Sequence, residues 1–226
     1  MNNVVNNLAE VFCLYKKCYI DILKCIWPSI DSNGFQERNL TVNFTNAYKE
    51  IAKNNNESAI VWFEFQCGDN GKKHVDALLM NTTSKEIFVI EAKRYNNVNQ
   101  KIKSVAWDVR RIQDFFCNKD KLVSRLGDIS DYQFYGMILA DVWCETASKI
   151  EVAKLYNKKS FFEEKLCNIN LGSETEFYLT VPKSLQYDIQ TFEEQKNANT
   201  DKYENMDKDI PSSLNKYNLV SFWWPL

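Results

Sequence analysis

His74-Val75-Asp76-Ala77-Leu78-Leu79-Met80-Asn81-Thr82-Thr83-Ser84-Lys85-Glu86-Ile87-Phe88-Val89-Ile90-Glu91-Ala92-Lys93-Arg94 is the stretch on which the fold turns. Two runs rich in strand-forming residues flank a short polar segment, the pattern of a β-hairpin. With Thr83-Ser84 as a two-residue turn, facing residues have numbers that sum to 167, so Asp76 lies opposite Glu91 and His74 opposite Lys93. Facing residues of an antiparallel pair project to the same side with Cβ atoms about 5 Å apart. Side chains alternate along a strand, so Glu91 and Lys93 share that side. Two carboxylates and an ammonium therefore converge at one end of an otherwise apolar hairpin. The plain alternative is a surface ion pair at a strand end.

A cluster of this kind is costly unless something compensates for it, because two carboxylates repel and a half-buried face penalises both. A divalent cation between them removes the conflict, and oxygen ligands with few accompanying nitrogens favour Mg²⁺ or Mn²⁺ over zinc. Such a cation acidifies a bound water, and Lys93 can orient that water or neutralise charge on a phosphorane-like transition state. Phosphodiester hydrolysis is the chemistry that fits. Glu-x-Lys by itself is weak evidence, since it also occurs at Glu163-Glu164-Lys165 and Glu194-Gln195-Lys196. Only Glu91-Ala92-Lys93 ends an apolar strand with an aspartate opposite.

Working outward, Val4, Leu8, Val11, Phe12, Tyr15, Tyr19, Ile22, Leu23 and Ile26 recur at helical spacing between about Asn3 and Trp27. Pro28 closes that helix. A second helix is expected over Gln36 to Lys53, followed by strands at Ala59 to Cys67, His74 to Asn81 and Glu86 to Arg94, which form an antiparallel meander. Val98, Ile102, Val105, Val109, Ile112 and Phe116 mark a further helix, and Phe134 to Cys144 reads as a buried fourth strand. A helix around Ala147 to Leu166 and a strand at Glu176 to Val181 complete the expected core. Gln186 to Asn218 is polar and reads as a linker, leading to the aromatic tail Leu219-Val220-Ser221-Phe222-Trp223-Trp224-Pro225-Leu226. The chain thus divides into an N-terminal helix packed on the core (1–30), a main domain (35–185) and a linker with tail (186–226).

Composition sets the outer bounds. The 226 residues are 45% apolar, enough for a sizeable core, and carry a formal net charge of −2. No apolar run approaches the roughly 18 residues of a membrane span. The first residues carry no basic cluster, so a cytoplasmic protein without membrane anchorage is expected. Seven dispersed cysteines and a single histidine indicate neither a disulfide framework nor a zinc site, and most of the thiols are expected in the core. Charge is unevenly distributed. Between Lys93 and Arg125 nine basic residues face three acidic ones, a region suited to phosphate, whereas Gln186 to Pro211 has seven acids against three lysines. Each run also reads as an ordinary solvated face. The tryptophans are expected in the core and tail, with base stacking as the alternative for an exposed one.

Val75-Asp76, a fourteen-residue gap and Glu91-Ala92-Lys93, with Ile87-Phe88-Val89-Ile90 before and a basic helix after, resemble the PD-(D/E)xK nuclease superfamily, over roughly Gln36 to Cys144. Val75 stands where the family name has proline. The resemblance implies an α/β fold with a restriction endonuclease-like core: a helix, a three-strand antiparallel meander, a helix and a strand in a mixed sheet flanked by helices. It implies a metal-dependent endonuclease, of restriction or defence type among others, in which Asp76 and Glu91 hold Mg²⁺ or Mn²⁺ and Lys93 is catalytic. Glu37 is similar to a glutamate that many members add from the first core helix, with Glu50 as the competitor. As a helix N-terminal charge, Glu37 could equally complement the helix dipole. Glu64, inside the first strand, is either a further metal ligand or turned to solvent. Lys101, Lys103, Arg110, Arg111 and Gln113 on the following helix are the expected DNA contacts. His74 is read as structural, with a DNA or water contact as its other reading. A non-cleaving nucleic-acid or protein-binding module with the same fold is the competing function, and a homodimer or larger complex the alternative to a monomer.

Overall fold

The structure, a computed structural model, describes residues 2–25, 36–67, 74–95, 98–116, 119–143, 186–191 and 217–226. Two helices open the chain, α1 (Asn2–Cys25) and α2 (Glu37–Asn54). Strands β1 (Ala59–Gln66), β2 (His74–Asn81) and β3 (Glu86–Tyr95) follow as an antiparallel meander. Helices α3 (Val98–Phe116) and α4 (Lys119–Leu126) then lead to β4 (Gln133–Trp143), which runs parallel to β3. A parallel neighbour requires a long crossover, and α3 with α4 supplies it. The last described elements are β5 (Gln186–Thr191) and β6 (Tyr217–Pro225). The described strands form one mixed six-stranded sheet in the order β1-β2-β3-β4-β6-β5.

The sheet is covered on both faces, which is why β3 and β4 are apolar throughout their centres. On one face Phe88, Ile90 and Ala92 of β3 pack with Met137, Leu139 and Trp223 beneath α1 and α2. Helix α1 contributes Leu8, Val11, Phe12, Tyr15 and Tyr19, one helical stripe, and the Phe12 ring lies 5.6 Å from that of Phe44 and 5.2 Å from that of Trp223. On the other face Ile87 and Val89 meet Val105, Val109 and Ile112 of α3, with Phe222 and Trp224. Each such side chain contributes about 1.5–3 kcal/mol by leaving water. Asn56, in the left-handed region at φ 58°, stops the chain from continuing α2.

Hairpin register follows the 167 sum over the five rungs from Ala77↔Ile90 to Asn81↔Glu86, although the turn spans Thr82–Lys85 rather than two residues. Asn81 holds that turn. Its Oδ1 accepts from the Thr83 and Ser84 N–H groups at 3.0 Å each, and its Nδ2 donates to Glu57 at 2.7 Å.

Several expectations need correction. The segment read as a linker from Gln186 includes β5, and the aromatic tail is β6, paired with β4 from Tyr217↔Trp143 to Pro225↔Tyr135. The tail is therefore part of the sheet rather than an appendage, and its aromatics fill both cores. Helix α4 was not expected, because eight residues are too few to show a clear period. The helix expected at 147–166 and the strand at 176–181 lie outside the described residues. Of the cysteines whose burial is described, Cys13 is exposed and Cys18 and Cys67 are half-buried; the side chains of the other four lie outside the described residues. Trp62 and Trp107 are exposed at 59% and 46%, while Trp223 and Trp224 are core residues as expected. Among the described residues no helix is long and apolar enough to cross a membrane.

Gly136 on β4 lies so close to Trp224 that a Cβ would clash with the six-membered ring of its indole. Gly136→Ala is expected to destabilise the protein by about 1–3 kcal/mol, the usual cost of overpacking, measured by urea unfolding. An unchanged midpoint would show that Trp224 is not seated as described.

Candidate functional site

Strand β2 stays paired with β1 as far as His74↔Gln66, but its ladder with β3 ends at Ala77↔Ile90. The two strands part there, one rung before Asp76 and Glu91 would face each other. Asp76 reaches across the opening, where its Oδ2 accepts from the Ala92 N–H at 2.6 Å. Two residues on, the Arg94 N–H donates to Glu37 Oε1 at 2.9 Å, so the first residue of α2 meets the same stretch of β3. N–H groups two apart on a strand point the same way, so two carboxylates occupy positions that a continuing strand would have filled.

A distortion in β1 and β2 accompanies this. The rung between Glu64 and Asp76 is missing from an otherwise regular ladder, and Glu64 has φ 53°. A glutamate in the left-handed region is strained. The effect on alternation is visible in the cores: Val75 packs on the α3 face while Ala77, two residues on, packs on the α1–α2 face. Asp76 sits in that twist, which turns its carboxylate toward the edge of β3. His74 Nδ1 donates to the Glu64 carbonyl at 3.0 Å, bracing the strained residue rather than standing opposite Lys93.

Glu91 and Lys93 do share one side, and α3 covers it. Arg111 contacts Glu91 Oε1 through Nη2, and the same Nη2 lies 2.9 Å from Asp108 Oδ1. Lys93 Nζ lies 2.9 Å from Asp108 Oδ2. Two acids and two bases thus alternate in one connected group. Asp108 was not among the expected site residues. Its signal was present in the sequence, since it lies three residues after Val105 and four before Ile112, an acid in the buried stripe of the helix.

Burial is the largest influence on the Glu91 carboxyl, followed by the negative charges of Asp108 and Asp76; Arg111 and Lys93 offset them only in part, and its pKa is pushed up to about 8. Asp76 is also raised, by burial above all, against the Ala92 N–H and the Lys93 charge. For Lys93 burial favours the neutral amine, but Asp108, Glu91 and Glu37 together outweigh it and hold the pKa above the ordinary value. Lys93 is accordingly a fixed cation and not a proton acceptor near neutral pH.

The remaining expected residues are dispersed. Glu64 is exposed and an electrostatic neighbour of Asp76, and Glu50 is exposed on α2 with no contact to this group. Arg110 lies over the Trp107 ring at 5.7 Å, and Gln113 is half-buried on α3. Lys101 and Lys103 are on the first turns of α3, but their side chains lie outside the described residues. Arg111 is turned inward to Glu91 and Asp108 rather than outward to a ligand. Part of the basic excess after Lys93 is therefore spent inside the protein.

A hard divalent cation fits the donor chemistry of Asp76 and Glu91. Both are carboxylates in an environment that resists their ionisation, and each has one oxygen engaged, Asp76 Oδ2 with Ala92 and Glu91 Oε1 with Arg111. Among the described residues no group of three or more His, Cys, Asp or Glu side chains is placed to hold a metal. Mg²⁺ is commonly held by one or two carboxylates, with water and substrate phosphate completing its shell. Comparison with protein-family models, with curated proteins and with solved structures found no match to this chain.

An unfolded Glu91 titrates near 4.5 and the folded one near about 8, so between those values the folded chain keeps a proton that the unfolded chain has lost. Its stabilising contribution is complete at low pH and is lost as pH rises through the folded value. In metal-free buffer the melting temperature of the wild type is expected to fall between about pH 5 and about pH 8 more steeply than that of Glu91→Gln. Parallel profiles for the two proteins would show that Glu91 is not perturbed.

Proposed function

We propose that the chain is a metal-dependent endonuclease of the PD-(D/E)xK type that hydrolyses DNA phosphodiester bonds. The observation that carries this reading is that Asp76, Glu91 and Lys93 lie within electrostatic reach of one another where β2 and β3 separate, with the Lys93 cation held by Asp108. The element order from α2 to β4, and the parallel pairing of β3 with β4, also suit a restriction endonuclease-like core.

A Mg²⁺ or Mn²⁺ ion held by Asp76 and Glu91 would acidify a water and draw off charge from the phosphate. Asp76 is held in place for this by the Ala92 N–H, and Glu91 by its position on the central strand β3. Lys93, kept charged by Asp108, donates to the oxygens on which negative charge develops as water attacks phosphorus. Arg110 and Trp107 present a cation and an aromatic surface on the outer part of α3, suited to a phosphate and a base. Glu37 holds the end of β3 through the Arg94 N–H and, as an electrostatic neighbour of Asp76 and Lys93, stands with Glu64 as a further candidate ligand.

A second reading, a binding module that keeps the fold without cleaving, is favoured by one observation: Arg111 and Lys93 already neutralise Glu91 and Asp108. Cleavage separates the two. With Mg²⁺ or Mn²⁺, purified protein is expected to cut at least one of a panel of plasmid, linear, branched and RNA substrates, and Asp76→Asn, Glu91→Gln and Lys93→Met to lower the rate by about 100-fold or more. Asp128→Asn, at an exposed loop away from the site, is expected to leave it unchanged. No cutting of any substrate, together with binding that is indifferent to divalent ions and to Glu91→Ala, would establish the binding module instead.

A further inference from the structure

Arg111 is placed to do more than neutralise its neighbours. Its Nη2 touches both Glu91 and Asp108, and the oxygen it covers, Glu91 Oε1, belongs to a carboxylate that the proposed cation requires. A guanidinium and a divalent ion both seek the lone pairs of that carboxylate, and their charges repel, so the two compete for one place. Of the pair in contact, Arg111 is the one free to move: its side chain is 30% exposed, against 2% for Glu91. Its Nε is buried with no hydrogen-bond partner, so the present position leaves one of its donors unused. Asp108, bound at once to Lys93 and Arg111, keeps hold of the side chain when Glu91 is given up.

We propose that Arg111 couples cation binding to phosphate binding: the cation displaces it from Glu91, and the released guanidinium takes a phosphate oxygen of the substrate. This rests on the nuclease reading. Without a cation, Glu91 is satisfied by Arg111 and the site is closed to phosphate. With one, the guanidinium fork, whose planar donors match two phosphate oxygens, turns to the substrate. The metal-free ion-pair group is then a resting state of the site rather than evidence of lost activity.

The test uses the full chain and two variants, Arg111→Gln and Arg111→Met, the latter keeping the packing of the aliphatic stem, with folding checked by circular dichroism. Mn²⁺ binding is followed by the electron paramagnetic resonance signal of the free ion. Both variants are expected to bind Mn²⁺ about tenfold more tightly than the wild type, because a competing charge has gone. Lys85→Gln, which removes a charge at the far end of the hairpin, is expected to stay within about twofold. A fluorescent DNA duplex supplies the second readout by anisotropy. Arg111→Gln is expected to bind it about tenfold more weakly in Ca²⁺, and as well as the wild type in EDTA. Unchanged or weakened Mn²⁺ binding in both variants overturns the competition. A loss of DNA affinity that is equal with and without Ca²⁺ overturns the coupling and makes Arg111 a static phosphate contact. If no form binds Mn²⁺, the nuclease reading falls with the inference. If all forms bind it alike while cleavage persists, only the inference falls.

Discussion

A backbone N–H cannot be left without a partner inside a protein, and the parting of β2 from β3 after Ala77 and Ile90 creates that demand at Ala92 and Arg94. Carboxylates meet it: Asp76 bonds the first N–H and Glu37 the second. The arrangement of the site follows from this replacement of strand by side chain. It brings the N-terminus of α2 onto the end of β3 and leaves Asp76 within electrostatic reach of Glu91. The strain at Glu64 and the His74 bond to its carbonyl belong to the same feature, because they turn Asp76 out of the regular alternation.

The parallel pairing of β3 with β4 imposes the second constraint. The chain must cross over one face of the sheet, and it does so with α3 above the odd-numbered residues of β3. Ile87 and Val89 meet the apolar part of that helix, while Glu91 and Lys93, continuing the same row, meet Asp108 and Arg111. One row of side chains thus changes from core to charged site without any change of backbone direction. The aromatic strand β6 closes the other side of β4 and fills the cores on both faces.

The charged group is balanced in formal charge yet still resists ionisation of Glu91, whose carboxyl titrates near about 8. Burial is the main reason, and two further acids nearby add to it. A site with this excess of negative demand attracts cations, and the structure answers with Lys93 and Arg111. Lys93 is held firmly between acids. Arg111, longer and more exposed, is the member whose place another cation could take.

Much of this was legible in the sequence. Apart from α4, the elements from α2 to β4 match their expected bounds to within one or two residues, and the 167 register holds as far as the ladder runs, because helical period, strand alternation and turn composition are local properties. That Asp76, Glu91 and Lys93 fall on one hairpin was legible for the same reason. Asp108 was within reach, as a carboxylate among the apolar positions of its helix. Tertiary structure alone decided that the ladder stops before Asp76, that Arg111 faces inward and that Tyr217–Pro225 is a strand beside β4. These depend on pairings between distant parts of the chain, such as Arg94 with Glu37, 57 residues apart, or Arg111 with Glu91, 20 apart. Periodicity says which face of an element seeks burial, but not which partner will supply it, and a charge run looks the same whether its side chains reach water or one another.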